Sequence, residues 1–386
     1  MIKLLMTSVG CWVTQNLFDV IDARGDDFYV VGTTSLATIT LGRADRVYLI
    51  PESERPPSPF CDRLLEIIAR EQPDLVIPTR DQDVTVVSAL VAEHPALADL
   101  VPCGAPEVAI LIQDKWLGYL FAQEHGLPFA ESAIADAATS HQAAHALAET
   151  VGFPLLVKPR RGFGSRGVHL VTSKAQLDAA LAQGEAVAQR YIGAAAVVQE
   201  FQEEVTRRGT PLFYTLEQDK FSLQTYVRRD GTVAPVCRTL HRMRRGHSAE
   251  VWGIPDDTVE TQDKPWTKGL TATGRRWAET LAAAGWRGPV NVQCQQEADG
   301  TYVAFELSGR FTGATAARYF LGHDELGYCL EDRLGRPLGQ VKKVADSLAI
   351  KYQRTLGVSQ AAVETLTRDG VWDREVAAAQ TNGTGR

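Results

Sequence analysis

No CxxC pair occurs among the six cysteines, at positions 11, 61, 103, 237, 294 and 329, and no secretory segment accompanies them. This argues against a disulfide framework, so the thiols read as reduced and the chain as cytoplasmic. No apolar run approaches the length of a membrane span. The opening MIKLLMTSVG has one lysine and a short apolar run broken by Thr7 and Ser8, and reads as a buried strand and not as a signal peptide. An excess of positive charge is also missing. The formal net charge of -7 gives no overall pull towards nucleic acid or an anionic membrane, which leaves small molecules as the default partners. Repeats and low-complexity tracts are absent too.

What is present is the composition of a folded soluble protein, 45% apolar and 23% charged, over 386 residues, enough for two or three packed domains. Over the first hundred residues, strand-like runs (IKLLMTS, FYVVGT, RVYLIPE, LVIPTR) alternate with helical stretches such as Phe60 to Glu71, the pattern of a parallel α/β sheet. Helical periodicity runs from Glu107 to His125, and an alanine-rich helix follows from about Ser140 to Val151. PLLVKP (154–159), a glycine-rich loop, VHLVT (168–172) and a helix near Lys174 to Gln183 form a strand, loop, strand, helix unit. From Val197 the segments AVVQEF, FSLQTYV, VAPVCRTL, GPVNVQCQ and TYVAFEL read as a mostly antiparallel lobe, interrupted by a helix from about Gly269 to Ala284. The end, TNGTGR, reads as a frayed tail.

The loop RRGFGSRG places Gly162, Gly164 and Gly167 in the order GxGxxG. A dinucleotide fingerprint opens a helix, whereas VHLVT is strand-like; a Walker loop needs Lys and Ser or Thr where Val168 and His169 stand. A flexible cover over phosphates remains, beside the plainer reading of a surface hairpin. Lys158, at the end of the strand entering the loop, and Lys115, in QDKW, would serve as point charges for phosphate, although either alone is more often solvated.

In GPVNVQCQQEADGTYVAFELSGRFTG, a two-residue turn at Asp299-Gly300 sets opposed positions that sum to 599. Gln293 then faces Glu306, and Asn291 faces Ser308, on one side of the hairpin; Val292, Cys294, Val303, Phe305 and Leu307 take the other. Four oxygen donors on one face suit magnesium, which needs only one or two carboxylates beside nucleotide phosphates; an ordinary polar sheet face is the alternative.

Lys115, Lys158 in VKP, RRGFGSRG, AVVQEF, and Gln293, Glu306 and Arg310 together resemble the ATP-grasp superfamily, in particular its carbamoyl-phosphate-synthetase-like branch. TRDQD (79–83) and QDKW (113–116) fall where that family has comparable segments, and the resemblance spans most of the chain. It implies an α/β fold with α+β lobes: a Rossmann-like leading domain over 1–112, a central lobe with the glycine-rich lid over 113–196, and a lobe with the metal site over 197–386. It implies that Lys115 and Lys158 contact ATP phosphates beneath Gly162, Gly164, Ser165 and Gly167, and that the backbone at Gln199, Glu200 and Phe201 reads adenine. Glu203 is the ribose candidate. Gln293, Glu306 and Ser308 would hold magnesium, with manganese as a substitute, and Arg310 would stabilise the transferred phosphoryl or acyl-phosphate group.

Two features depart from the pattern. Ser308 stands where the family has Asn, so Asn291 or a water would complete the metal shell. The stretch from Gln202 to Lys220 is longer and more polar than expected, with Lys220 where an acidic residue is common. The cluster RTLHRMRRGH offers Arg238 and Arg242, with Arg310, as anionic-substrate contacts, or else a solvated basic edge. His141 and His145 have the i, i+4 spacing of a metal pair but no third ligand nearby, which favours a surface face. The activity implied is ATP-dependent joining of a small carboxylate and a small amine through an acyl phosphate, releasing ADP and phosphate, in a chain that could form a homodimer. Phosphotransfer to another acceptor, or ATP binding without ligase activity, are the alternatives.

Overall fold

The computed structural model describes residues 1–37, 43–135, 141–162, 166–209, 218–244, 247–255, 269–337, 339, 341, 348–352 and 358–377. Gly164, Ser165 and the C-terminal tail therefore lie outside the described residues. The first part runs β1 (Ile2–Met6), α1 (Trp12–Arg24), β2 (Phe28–Thr34), β3 (Arg46–Leu49), α2 (Pro59–Glu71), β4 (Leu75–Ile77) and α3 (Asp81–Glu93). β1 is flanked by β2 and β4, all parallel, and its Leu4, Leu5 and Met6 are fully buried, as an apolar central strand with both faces covered must be. Chain order reverses at β1, so the loops after β1 and β4 open at the carboxyl edge of the sheet, where α/β sheets present a crevice. Asp81 begins α3 there.

The helical stretch expected from Glu107 to His125 is two helices, α4 (Pro106–Gln113) and α5 (Lys115–Glu124). Asp114 breaks them: its side chain accepts from the backbone N–H of Trp116 at 3.0 Å and Leu117 at 3.2 Å, capping α5 and starting it at Lys115. Next come β5 (Ser132–Ala135), α6 (Gln142–Val151), β6 (Leu155–Pro159), β7 (His169–Val171), α7 (Lys174–Leu181) and β8 (Ala186–Arg190), a second sheet in the antiparallel order β5-β8-β6-β7. The glycine-rich loop joins paired strands β6 and β7, as its strand-like exit predicts.

After β8 comes α8 (Ala195–Arg208), and it corrects the strand expected at AVVQEF. The alanines at 194–196 favour helix, and the exposed surface carries i, i+4 pairs: Gln199 donates to Glu203 at 3.1 Å and Arg208 to Glu204 at 2.9 Å. Only Val198 on this helix is buried, so no sheet packing overrides that preference.

The third sheet contains β9 (Lys220–Val227), β10 (Cys237–Arg244), β11 (His247–Gly253), β12 (Gly288–Gln296), β13 (Tyr302–Ser308) and β14 (Leu348–Ile350), in the antiparallel order β13-β12-β9-β10-β11-β14. Helix α9 (Leu270–Ala283) covers its apolar face with fully buried Trp277. The same core cluster runs from Leu5 and Val31 of the first sheet to Val290 and Val292 of the third, so the two regions share one interior. At Gly288 the backbone has φ of 124°, and a Cβ would lie 2.2 Å from the Pro102 carbonyl oxygen; only glycine fits that contact. Helices α10 (Thr315–Phe320), α11 (Glu325–Leu334) and α12 (Gln360–Asp369) follow, and β15 (Val371–Asp373) pairs antiparallel with β3 at the edge of the first sheet, a return that the sequence does not announce.

Candidate active site

Alternation along four strands gives the third sheet a buried polar face. Ser222 of β9 is opposite Gln293 of β12, which is opposite Glu306 of β13; one step along, Gln224, Asn291 and Ser308 form the neighbouring row. From β10, Thr239 and His241 join the same face beside Ser222 and Lys220. The expected register holds at the site, yet for a different reason. The turn spans three residues and not two, because the Glu297 N–H donates to Thr301 O at 2.8 Å with Gly300 at φ 90°. This shifts Cys294 onto Ala304, and a bulge at Phe305 restores Gln293 to Glu306. Phe305 is thereby turned out of the core face and lies under the Lys158 ammonium, 5.1 Å from the ring centroid to Nζ.

Above this floor is a cavity of about 170 Å³, whose lining includes Lys115, Gly162, Gln293, Glu306, Ser308 and Arg310. Residues distant in sequence thus meet. The Lys115 Nζ donates to Gly162 O at 3.3 Å, and its backbone N–H to Arg160 O at 3.0 Å. Arg160 in turn grips the capping Asp114 at 2.7 Å, tying the start of the glycine-rich loop to α5. Lys158 is buried and donates to Gln189 Oε1 at 2.6 Å. Burial pushes its pKa down to about 8, with Glu306 opposing and Lys115 and Lys220 adding to the fall. No hydrogen bond to the Glu306 carboxylate is found among the described residues, although lysines surround it.

Asp81 is the residue that sequence reasoning noticed without assigning. From the edge of the first sheet its carboxylate accepts from Ser308 Oγ at 2.9 Å and from Arg310 Nη2 at 2.7 Å. This ion pair with Asp81 holds the Arg310 guanidinium at the cavity wall. Lys220 donates to Gln293 Oε1 at 2.6 Å, and burial lowers its pKa. His241 lies between Thr239 Oγ1, at 3.0 Å, and Ser248 Oγ, at 2.9 Å; burial first, then Lys220, holds its pKa well below 6.5, so the imidazole is neutral. Lys351, just past β14, also lines the cavity, with a pKa lowered by burial to about 8.

Other expected residues lie elsewhere. Gln199, Glu200, Phe201 and Glu203 sit within α8, whose backbone groups are engaged in helical hydrogen bonds and cannot read an adenine edge; Glu200 and Glu203 are exposed. The strand that approaches the loop is β8, where Gln189 holds Lys158. Arg238 and Arg242 occupy the β10 face opposite His241: Arg238 donates to Thr271 Oγ1 at 3.0 Å beneath α9, and Arg242 stacks on Trp252 at 5.5 Å. His145 Nε2 pairs with Asp178 at 2.8 Å, and no cluster of three metal-ligating side chains occurs among the described residues.

The donor set fits a magnesium ion. Glu306 supplies an open carboxylate, and the carboxamide of Asn291 donates to Ser222 Oγ at 2.7 Å, leaving its oxygen without a donor among the described residues. Gln293 fits less well, since its oxygen already accepts from Lys220.

Residues 114–204 match the family profile described as the ATP-binding domain of the carbamoyl-phosphate synthase L chain. Over 120 residues, 30% of this chain, the sequence is 31% identical to the carbamoyl phosphate synthase large chain of Methanosarcina mazei, of which the match covers 11%. The fold is similar to the biotin carboxylase domain of a Hydrogenobacter thermophilus 2-oxoglutarate carboxylase solved with MgADP, ADP and bicarbonate: TM-score 0.59 and 14% identity over 87% of this chain and 70% of that one. It is also similar to an N5-carboxyaminoimidazole ribonucleotide synthetase solved with ADP, with TM-score 0.61 and 13% identity over 95% of this chain and 84% of the other. Fold, sequence match and cavity agree: the chain has the fold of these ATP-grasp structures, and its sequence kinship to the ATP-binding domain of carbamoyl-phosphate synthase lies in residues 114–204.

Proposed function

We propose that this chain is an ADP-forming ligase that joins a small carboxylate to a small amine. The observation that carries the reading is the meeting, in one cavity, of the open Glu306 carboxylate and Arg310 with Lys115 and the start of the glycine-rich loop. Lys115 and Lys158 hold the nucleotide phosphates, and 1–112, 113–196 and 197–386 act as leading domain, lid-bearing lobe and metal-bearing lobe. A carboxylate oxygen of the acid attacks the γ-phosphorus, and the bond to the ADP oxygen breaks. The amine nitrogen then attacks the acyl carbon, and phosphate leaves with the electron pair of the C–O bond. Arg310, fixed by Asp81, faces the charge that develops on the phosphoryl oxygens. Magnesium, or manganese in its place, held by Glu306 and Asn291, would neutralise phosphate charge. Gly162 to Gly167 close over the acyl phosphate and exclude water, which would otherwise hydrolyse it.

A homodimer is proposed on the same footing, the Hydrogenobacter thermophilus domain being described as a dimer. A cytoplasmic setting is supported by the six free cysteines. Among the described residues no helix is long and apolar enough to cross a membrane. ADP release across pairs of acids and amines tests the proposal. Dependence on both partners is the expected result; release with a single acceptor would assign a phosphotransferase, and failure to bind nucleotide would overturn the reading.

A further inference from the structure

Phosphoryl-transfer sites often place two divalent ions about 3.5–4 Å apart to clamp the reacting oxygens. A second ion needs a second open carboxylate, and among the described residues the polar floor does not offer one. Position 293 is an amide, Ser308 is bonded to Asp81, and the two Asp81 oxygens are taken by Ser308 and Arg310. In place of another acid the sheet supplies a cation. Lys220, the first residue of β9, projects from the same face as Ser222, and its ammonium lies 2.6 Å from Gln293 Oε1 while Gln293 is paired directly with Glu306.

Resting on the ATP reading above, we infer that Lys220 replaces one divalent cation: the site holds a single magnesium on Glu306, and the Lys220 ammonium occupies the place and supplies part of the charge of a second. Charge balance supports this. Lys115, Lys158, Lys220 and Lys351 have no carboxylate within ion-pair distance among the described residues; set against these four charges is the open Glu306, which acts on Lys158 and Lys220, so three positive charges are left over. A nucleoside triphosphate carries about four negative charges; one magnesium leaves it with two, and one substrate carboxylate closes the balance. With two ions the nucleotide would be neutral, and the excess lysines would face each other uncompensated. The tethered ammonium also repels a second ion from the Gln293 side of Glu306.

Counting bound Mn2+ by electron paramagnetic resonance, with a non-hydrolysable ATP analogue as the nucleotide, tests this without knowledge of the acid or amine. The wild-type protein is expected to hold one Mn2+ per bound nucleotide. In Lys220→Gln and Lys220→Glu a second ion should bind roughly tenfold more tightly or better than in the wild type. Two ions held by the wild type with similar affinity, or no tightening in either variant, would overturn the inference. Nucleotide affinity from the same titration checks that each variant is folded. Absence of nucleotide binding by the wild type would instead bring down the ATP reading itself.

Discussion

Two inward-facing carboxylates, Asp83 and Glu306, stand at opposite extremes of hydrogen-bond satisfaction. Asp83, fully buried behind the first sheet, accepts from Thr7 Oγ1 at 2.6 Å, Ser8 Oγ at 2.7 Å, Ser53 Oγ at 2.9 Å and Arg80 Nη2 at 3.0 Å. Glu306 accepts no hydrogen bond among the described residues, although Lys158 and Lys220 act on it electrostatically. A saturated acid organises loops and has no lone pair to spare for a ligand. An open one, retained in a polar cavity, is stable only where something else completes it.

The contrast breaks most visibly in activity. Glu306→Gln removes the charge with almost no change in shape, and is expected to lower ADP-forming turnover by roughly a thousandfold while leaving thermal stability unchanged or slightly raised. A loss of stability equal to the loss of activity would place Glu306 in the same class as Asp83. Asp83→Ala should do the reverse. Removing the shared acceptor strands three hydroxyls and a guanidinium and should cost about 3 kcal/mol in urea denaturation, with activity per folded molecule preserved.

Lys158 carries the comparison into pH. Its folded pKa near 8 lies below the ordinary 10.5, so between those values the unfolded chain keeps a proton that the folded chain has released. The destabilisation is thus fully present below about 8 and fades as pH rises towards the ordinary value. Buried Cys103, Cys237 and Cys329, pushed by burial up to about 12, act in the opposite direction, so only a difference isolates the lysine. Lys158→Met should be more stable than wild type at neutral pH, with the advantage shrinking by about 1.4 kcal/mol per pH unit at most above pH 8. A constant difference across that range would mean that Lys158 is not desolvated.

The strands, the hairpin and the polar row were legible because alternation and turn chemistry are local. Their agreement with the structure at Gln293 and Glu306 nevertheless rests on two offsetting shifts, a turn one residue longer and a bulge at Phe305. Neither leaves a mark in the hydrophobic pattern. AVVQEF failed for the opposite reason: β-branched residues suggested a strand, while flanking alanines and spaced charges made a surface helix that no sheet was present to overrule. The Asp81 clasp to Ser308 and Arg310 joins positions more than two hundred residues apart, and nothing local in TRDQD announces it.

The smallest expected effect tests alternation on a single strand. His241 and Arg242 are neighbours on β10, yet the first is buried in the polar floor and the second is exposed against Trp252. Arg242→Ala should change ADP release and nucleotide affinity by less than about twofold, as surface substitutions away from a site do. A selective rise in KM for an anionic acid would instead show that the strand reverses its exposed edge towards substrate during turnover. In that case the basic cluster would regain the role its composition first suggested, and the floor around Glu306 would be only half of the acid-binding surface.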